Sequence, residues 1–146
     1  SASLPAGLPQ LLKDEPLLLP VPGQIVLAND WQITAQPVEQ IPDLSSPGLD
    51  PWQAFLDLQD QDILYVRTRQ PGERMQPLGM DGHSSSLQDI MVNRKVASRL
   101  REKWPLVATN RHVVWLTGHI IDQRARVSDN SRRIVRLKCE RFGEET

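Results

Sequence analysis

From Tyr65 to Arg141 the sequence carries 16 Arg or Lys residues against seven Asp or Glu, whereas residues 1–64 hold one base, Lys13, against nine acids. The 146 residues sum to a net charge of −1, so the asymmetry is one of distribution. Thirteen of the 16 bases are arginine. A guanidinium presents its donors in a planar fork that matches phosphate oxygens two at a time and also lies flat on a base, so an arginine bias points to nucleic acid more strongly than a lysine bias does. The chemistry implied is non-covalent capture of a polyanion, most simply an RNA backbone. The competing use of the same charges is internal, with the basic half neutralising the acidic half inside one fold.

The bases fall into groups. Alternation over Ile63 to Arg69 puts Tyr65, Arg67 and Arg69 on one face of a strand, and Arg74 follows across the Pro71-Gly72 turn. Arg94, Lys95, Arg99, Arg101 and Lys103 gather on helical surface. Arg124, Arg126, Arg132 and Arg133 flank a polar loop, and Arg136 shares a strand face with Arg132. Such patches track a backbone by shape more than they read base edges. Tyr65, which shares a strand face with Arg67 and Arg69, is the aromatic best placed to touch a nucleotide.

Covalent chemistry finds little support. The glycines sit singly at turns and form neither a dinucleotide nor a phosphate-binding loop. Glu73, Asp81, Asp89 and Asp122 have no spacing that pairs them for acid and base work. His83, His112, His119 and Cys139 match no zinc pattern, so no metal or cofactor is assigned to these residues. Cys139, the sole cysteine, excludes an internal disulfide and falls in the apolar register of a strand, as a core thiol does. Asp14, Glu15 and Pro20 interrupt the apolar run at Leu17 to Leu19 well short of a membrane span, and the start has no basic leader region. A chain beginning with Ser is expected to be a piece of a longer cytoplasmic protein.

These residues need elements to position them. Nine of the 12 prolines lie within residues 1–51, so residues 1–22 read as an arm or linker and residues 23–146 as the domain. Gln24 to Ala28 and Trp31 to Gln36 form a hairpin around Asn29-Asp30, residues suited to a tight turn. Pro37 to Pro51 is irregular, and a strand follows over Trp52 to Leu58. Ser85 and Gln88 have capping-box spacing, predicting a helix over 86–93, and Val96, Leu100 and Trp104 predict a second over 96–103. Leu106 to Ala108 and His112 to Thr117 pair around Asn110-Arg111. Arg132 to Cys139 closes the sheet, with Val135, Leu137 and Cys139 on one face. The expected class is α+β, mainly antiparallel, with two short helices. Trp31, Trp104 and Trp115 fit apolar periodicities as core anchors, and Trp52 covers a sheet edge.

The ordered run Leu64-Tyr65-Val66-Arg67-Thr68-Arg69-Gln70-Pro71-Gly72-Glu73-Arg74, with Pro77-Leu78-Gly79, Leu87-Gln88-Asp89-Ile90-Met91, Arg94-Lys95-Val96, Trp104-Pro105-Leu106-Val107 and Val114-Trp115-Leu116-Thr117-Gly118, resembles the C-terminal domain of bacterial tRNA(Ile)-lysidine synthase. The resemblance is strongest over residues 62–121. It implies a β-rich sandwich with helices, related to a domain of the phenylalanyl-tRNA synthetase beta subunit. It also implies a parent enzyme that uses ATP, with magnesium, to adenylate the wobble cytidine of tRNA(Ile) before lysine attacks. An upstream catalytic domain carries that chemistry in the family, and this chain lacks its Ser-Gly-Gly-x-Asp-Ser signature. The implied role here is a grip on tRNA(Ile) near the acceptor stem, made by Tyr65, Arg67, Arg69, Arg74, Arg94, Lys95, Arg99, Arg101, Lys103, Arg132 and Arg136. The alternative is a protein-interaction module that meets an acidic protein surface or the parent's own catalytic domain. Glu73 stands where the family commonly has Asp, which keeps the charge, and the acidic, proline-rich first third is not distinctive of the family.

Overall fold

The computed structural model describes residues 8–40 and 50–141. The first seven residues of the predicted arm, most of the predicted 37–51 connection and the last five residues of the predicted domain lie outside the described residues. In chain order the strands and helices are β1 (Leu17–Leu19), β2 (Gly23–Val26), β3 (Trp31–Val38), β4 (Gln53–Asp57), β5 (Leu64–Arg67), β6 (Arg74–Met75), β7 (Ser85–Ser86), α1 (Leu87–Asn93), α2 (Ser98–Arg101), β8 (Leu106–Ala108), β9 (Val113–Leu116), β10 (Ile120–Ile121) and β11 (Ile134–Arg141).

Alternating apolar residues build the first layer, a sheet in the order β2-β3-β11-β4. Ile33, Ala35, Val135, Leu137 and Cys139 all turn to one side and are buried, as their two-residue period requires. The β2–β3 connection turns through Asn29 and Asp30, both at positive φ (61° and 66°), the conformation a tight primed hairpin turn needs and that Asn and Asp tolerate. The second layer is a sheet in the order β1-β5-β8-β9-β10, antiparallel throughout. Its inner strands β8 and β9 are buried at every residue. They have no polar face because both sides are covered: Val107, Val114 and Trp115 pack toward the first sheet, and Leu106, Ala108, Val113 and Leu116 pack under the helices.

The third layer is α1 and α2, where Leu87, Ile90 and Met91 of α1 and Val96 of the turn between the helices join Trp104 and Met75 on the outer side of the second sheet. A fully buried Leu or Met there contributes about 2 kcal/mol of transfer energy. Helix α1 starts one residue later than the Ser85–Gln88 spacing predicts. Ser86, the second residue of β7, is the cap, and its hydroxyl accepts from the Asp89 amide at 3.0 Å. Helix α2 is a single turn over 98–101 rather than eight residues, because the Lys95 conformation described below consumes Val96 and Ala97 in the turn between helices.

The proline-rich leader is less loose than its composition predicts. Leu17 to Leu19 pair with Val66 to Leu64, Leu11 and Leu19 are buried in the inter-sheet core, and the Leu11 amide donates to the Lys103 carbonyl at 2.8 Å. Pro16 and Pro20 bracket β1 instead of breaking it, which an edge strand permits.

Candidate nucleic-acid interface

The turn after β5 sets the first group of bases. Pro71 and Gly72 occupy its centre, Gly72 at φ 75°, and the Glu73 amide closes it on the Gln70 carbonyl at 3.0 Å. That geometry needs a residue free to take positive φ. Glu73 then folds back: Oε1 accepts from Arg67 Nη1 at 2.9 Å and from the Gln70 amide at 3.0 Å, and Oε2 accepts from Arg67 Nη2 at 2.6 Å. Both side chains are only 14% exposed. Burial pushes the Glu73 carboxyl up, but the Arg67 fork and the Gln70 amide outweigh it and leave it below its ordinary range. Arg67 is thus committed to holding the turn. Arg69, on the same strand face, hydrogen-bonds Gln88 Oε1 of α1, and both line a polar groove of about 400 Å³ with Gln70, Ser86 and Glu102. Arg74 is exposed and bonds Ser84 through Oγ (3.1 Å) and the carbonyl (3.0 Å).

The second group sits where α1 ends. The Lys95 amide donates to the Val92 carbonyl at 3.1 Å and the Val96 amide to Met91 at 2.9 Å, the paired bonds of a Schellman close. The residue at the left-handed position of that motif is usually Gly, yet here it is Lys95, at φ 67°. Arg94 caps the helix, and its Nη1 lies 3.4 Å from the His119 carbonyl. Burial, with Arg94 close by, lowers the His119 pKa to about 4, so its ring, 5.4 Å from Trp104, is neutral at pH 7. The side chains of Lys95 and Arg99 are exposed and have no hydrogen-bond or ion-pair partner among the described residues. Arg101 is drawn back to the Val96 carbonyl (3.0 Å), and Lys103 reaches Asp14 (2.6 Å).

The remaining candidates are elsewhere. Arg136 lies on β11, opposite Gln36 and Phe55, and Arg132 beside a shallow groove with Asp57, Asp60 and Asn130, both in the four-stranded sheet and its loops. The fold therefore brings Arg69, Arg94, Lys95, Arg99, Arg101 and Lys103 to the helical layer and its borders, and leaves Arg132 and Arg136 apart. Tyr65 is half-buried on β5.

One basic cluster is not visible as such in sequence. Arg111 donates to Asp62 through Nε (3.0 Å) and Nη2 (2.6 Å), and Arg133 donates to the Gln59 and Asp62 carbonyls at 2.8 and 3.0 Å. Arg124 clasps Asp122 at 2.9 Å through both Nε and Nη2. Asp62 and Asp122 are buried, which alone would raise their pKa values; the arginine and amide donors bring both below the ordinary range. No local pattern links the Asp62–Arg111 partners, which are 49 residues apart. No three His, Cys, Asp or Glu side chains gather as a metal site among the described residues, and no helix among them is long and apolar enough to cross a membrane.

Residues 64–139 match the family model described as the TilS substrate C-terminal domain. The tRNA(Ile)-lysidine synthase of Dehalococcoides mccartyi is 35% identical over 102 residues, which is 69% of this chain and 21% of that protein. That of Symbiobacterium thermophilum is 45% identical over 81 residues, 56% of this chain and 17% of that protein. A crystal structure of a TilS C-terminal domain has the same fold, with a TM-score of 0.73 at 24% identity, covering 89% of this chain and 98% of the other. The chain thus spans about a fifth of the length of the curated relatives it matches.

Proposed function

Since the chain belongs to the TilS substrate C-terminal domain family, we propose that it is the tRNA-holding end of a tRNA(Ile)-lysidine synthase, the name its relatives carry. The parent would join lysine to the wobble cytidine of tRNA(Ile) in the cytoplasm, using ATP and magnesium bound by an upstream catalytic domain. The present residues supply no reacting group. They orient the substrate by holding the acceptor-stem region while the anticodon reaches the distant catalytic centre.

The observation that carries this reading is the set Arg94, Lys95 and Arg99 at the α1–α2 junction, exposed and bonded to no carboxylate. Cations with a carboxylate partner have already spent their field locally, whereas these three keep theirs for solvent or a phosphate. Arg69 and Arg74, tied only to neutral groups, extend the set. If each of the three meets one phosphate, counterion release gives log K against log salt a slope of about −2.7 from them alone.

The test is binding of the chain to whole tRNA(Ile) and to a tRNA lacking the acceptor stem, across a salt series, with the triple variant Arg94→Gln, Lys95→Gln, Arg99→Gln beside it. Whole tRNA should bind tighter, weaken with salt, and lose most of that slope in the triple variant. Equal, negligible binding of both RNAs overturns the reading. Equal, substantial binding keeps RNA contact but removes the acceptor-stem address.

A further inference from the structure

The helical layer covers the second sheet unevenly. Its β8, β9 and β10 side packs under α1 and α2, but the β1–β5 edge of the same face is open. Register fixes what lies there. Tyr65 stands opposite Ala108, which is buried under the helices, and opposite Leu18 on its other side. Leu18 is 57% exposed, and Ile63, two residues before Tyr65, is 49% exposed. The Tyr65 hydroxyl has no hydrogen-bond partner among the described residues. The result is an apolar strip with an aromatic ring at its centre, along a strand about 13 Å long.

Guanidiniums stand at both ends of the strip, two of them, Arg67 and Arg111, already paired with Glu73 and Asp62. At the Ile63 end, Arg111 and Arg133 converge on the single carboxylate Asp62 and its carbonyl. At the other end, Arg67 is bonded to Glu73, and Arg69 has only the neutral Gln88 as partner, with Glu102 across the same groove. Arg67, Arg111 and Arg133 are held by fixed hydrogen bonds, so their positions relative to the strip are set before any ligand arrives. Apolar surface rimmed by pre-positioned guanidiniums suits a ligand whose flat faces stack while its linking groups are anionic.

We propose that this strip receives unpaired nucleotides of the bound RNA, bases against Tyr65, Leu18 and Ile63, phosphates toward Arg133 and Arg69, the flanking guanidiniums bonded to no carboxylate. The inference rests on the RNA-holding reading above and names the part of the RNA involved: a single-stranded end rather than the duplex. The helical-layer cations then meet paired backbone, and the strip meets the strand that leaves the helix.

The experiment compares an RNA hairpin with a blunt end and the same hairpin with a four-nucleotide 3′ extension carrying 2-aminopurine. The chain should bind the extended form about tenfold tighter, the size expected of one good base–aromatic stack, and quench the 2-aminopurine fluorescence. Tyr65→Leu should bring the two RNAs to within about twofold of each other and abolish the quench, while Tyr65→Phe keeps both. Leu18→Asp, at an exposed position, should weaken only the extended form and leave the thermal midpoint unchanged. Equal affinity for both hairpins without quenching overturns the strip proposal and leaves the RNA reading standing. Binding of neither overturns both. Full preference and quenching in the Leu18→Asp and Tyr65→Leu variants also overturns the strip, and if these variants instead detach the chain from the rest of its full-length protein, the strip is a protein-docking face.

Discussion

Lys95 occupies the one helix-terminal position where a side chain is unwelcome, and replacing it separates stability from binding. At φ 67° a non-glycine residue crowds its own carbonyl, a cost of about 1–2 kcal/mol. Glycine relieves that cost but loses more backbone freedom on folding, about 0.4–1 kcal/mol, so Lys95→Gly should stabilise the chain by about 0.5–1 kcal/mol net. Lys95→Ala keeps the strain and should be within about 0.5 kcal/mol of the parent. For a chain of this size the glycine variant should melt about 2–4 °C higher. RNA binding should move the other way: both variants remove one exposed, unpartnered cation, so each should flatten the salt slope by about 0.9. Urea unfolding and a salt-series binding titration on the three proteins give both readouts. Equal stability of the glycine and alanine variants would refute the conformational argument. Unchanged salt slopes in both would remove Lys95 from the interface.

Three further perturbations probe the supports. Glu73→Gln keeps the volume but strips the charge from two arginine bonds at a site 14% exposed, and should cost about 2 kcal/mol in urea unfolding; a loss below about 0.5 kcal/mol would mean the pair does not hold the turn. Gly118 and Gly72 both sit at positive φ, 80° and 75°, but a Cβ on Gly118 would lie 2.6 Å from a Trp52 ring carbon while one on Gly72 meets nothing. Gly118→Ala should therefore destabilise by about 2–4 kcal/mol and Gly72→Ala by about 1, and similar losses would exclude the Trp52 clash as the cause. His119 has its folded pKa lowered to about 4 from 6.5, so between those values the unfolded chain binds the extra proton and stability must fall as pH falls. Its ring should titrate near pH 4 by NMR, and Arg94→Gln should raise that midpoint; a midpoint near 6.5 in the parent contradicts burial of the ring.

Strands with one buried face were readable because alternation is a local property. Ile33 and Ala35, or Val135, Leu137 and Cys139, announce their side without reference to any partner. Where two signals competed, the reading slipped. Ser84, Ser85 and Ser86 can each cap a helix, and the pairing of Ser85 and Ser86 with Met75 and Arg74, which no local rule contains, holds both extended so that the helix begins only after Ser86. The density of prolines in the leader masked β1, whose three residues are held by β5 and not by their own propensity. The site was less legible than the fold. A run of arginines gives the number of charges, but whether a guanidinium is open or consumed depends on a carboxylate that can be six residues away, as Glu73 is from Arg67, or 49, as Asp62 is from Arg111.

Pairing also decides between the two uses of the basic half. Had the charges served only to neutralise the acidic leader, the ion pairs would run between the halves. Lys103 with Asp14 and Arg111 with Asp62 do so, but Arg67 with Glu73, Arg124 with Asp122 and Lys138 with Glu140 lie inside the basic half. Two of the cross-half and local acids, Asp62 and Asp122, are buried, so their arginines repay a desolvation cost and lend little to the surface field. Among the described residues, Arg94, Lys95 and Arg99 escape this pairing where α1 ends, and Arg126 and Arg132 escape it in the loop between β10 and β11. At the end of α1 the chain spends a left-handed backbone conformation on a lysine, and burial, with Arg94 close by, keeps His119 neutral at pH 7. The charge polarity of the sequence thus survives folding at the border of the helical layer where three such cations adjoin, and a salt-dependent affinity that maps to that border is the form its function should take.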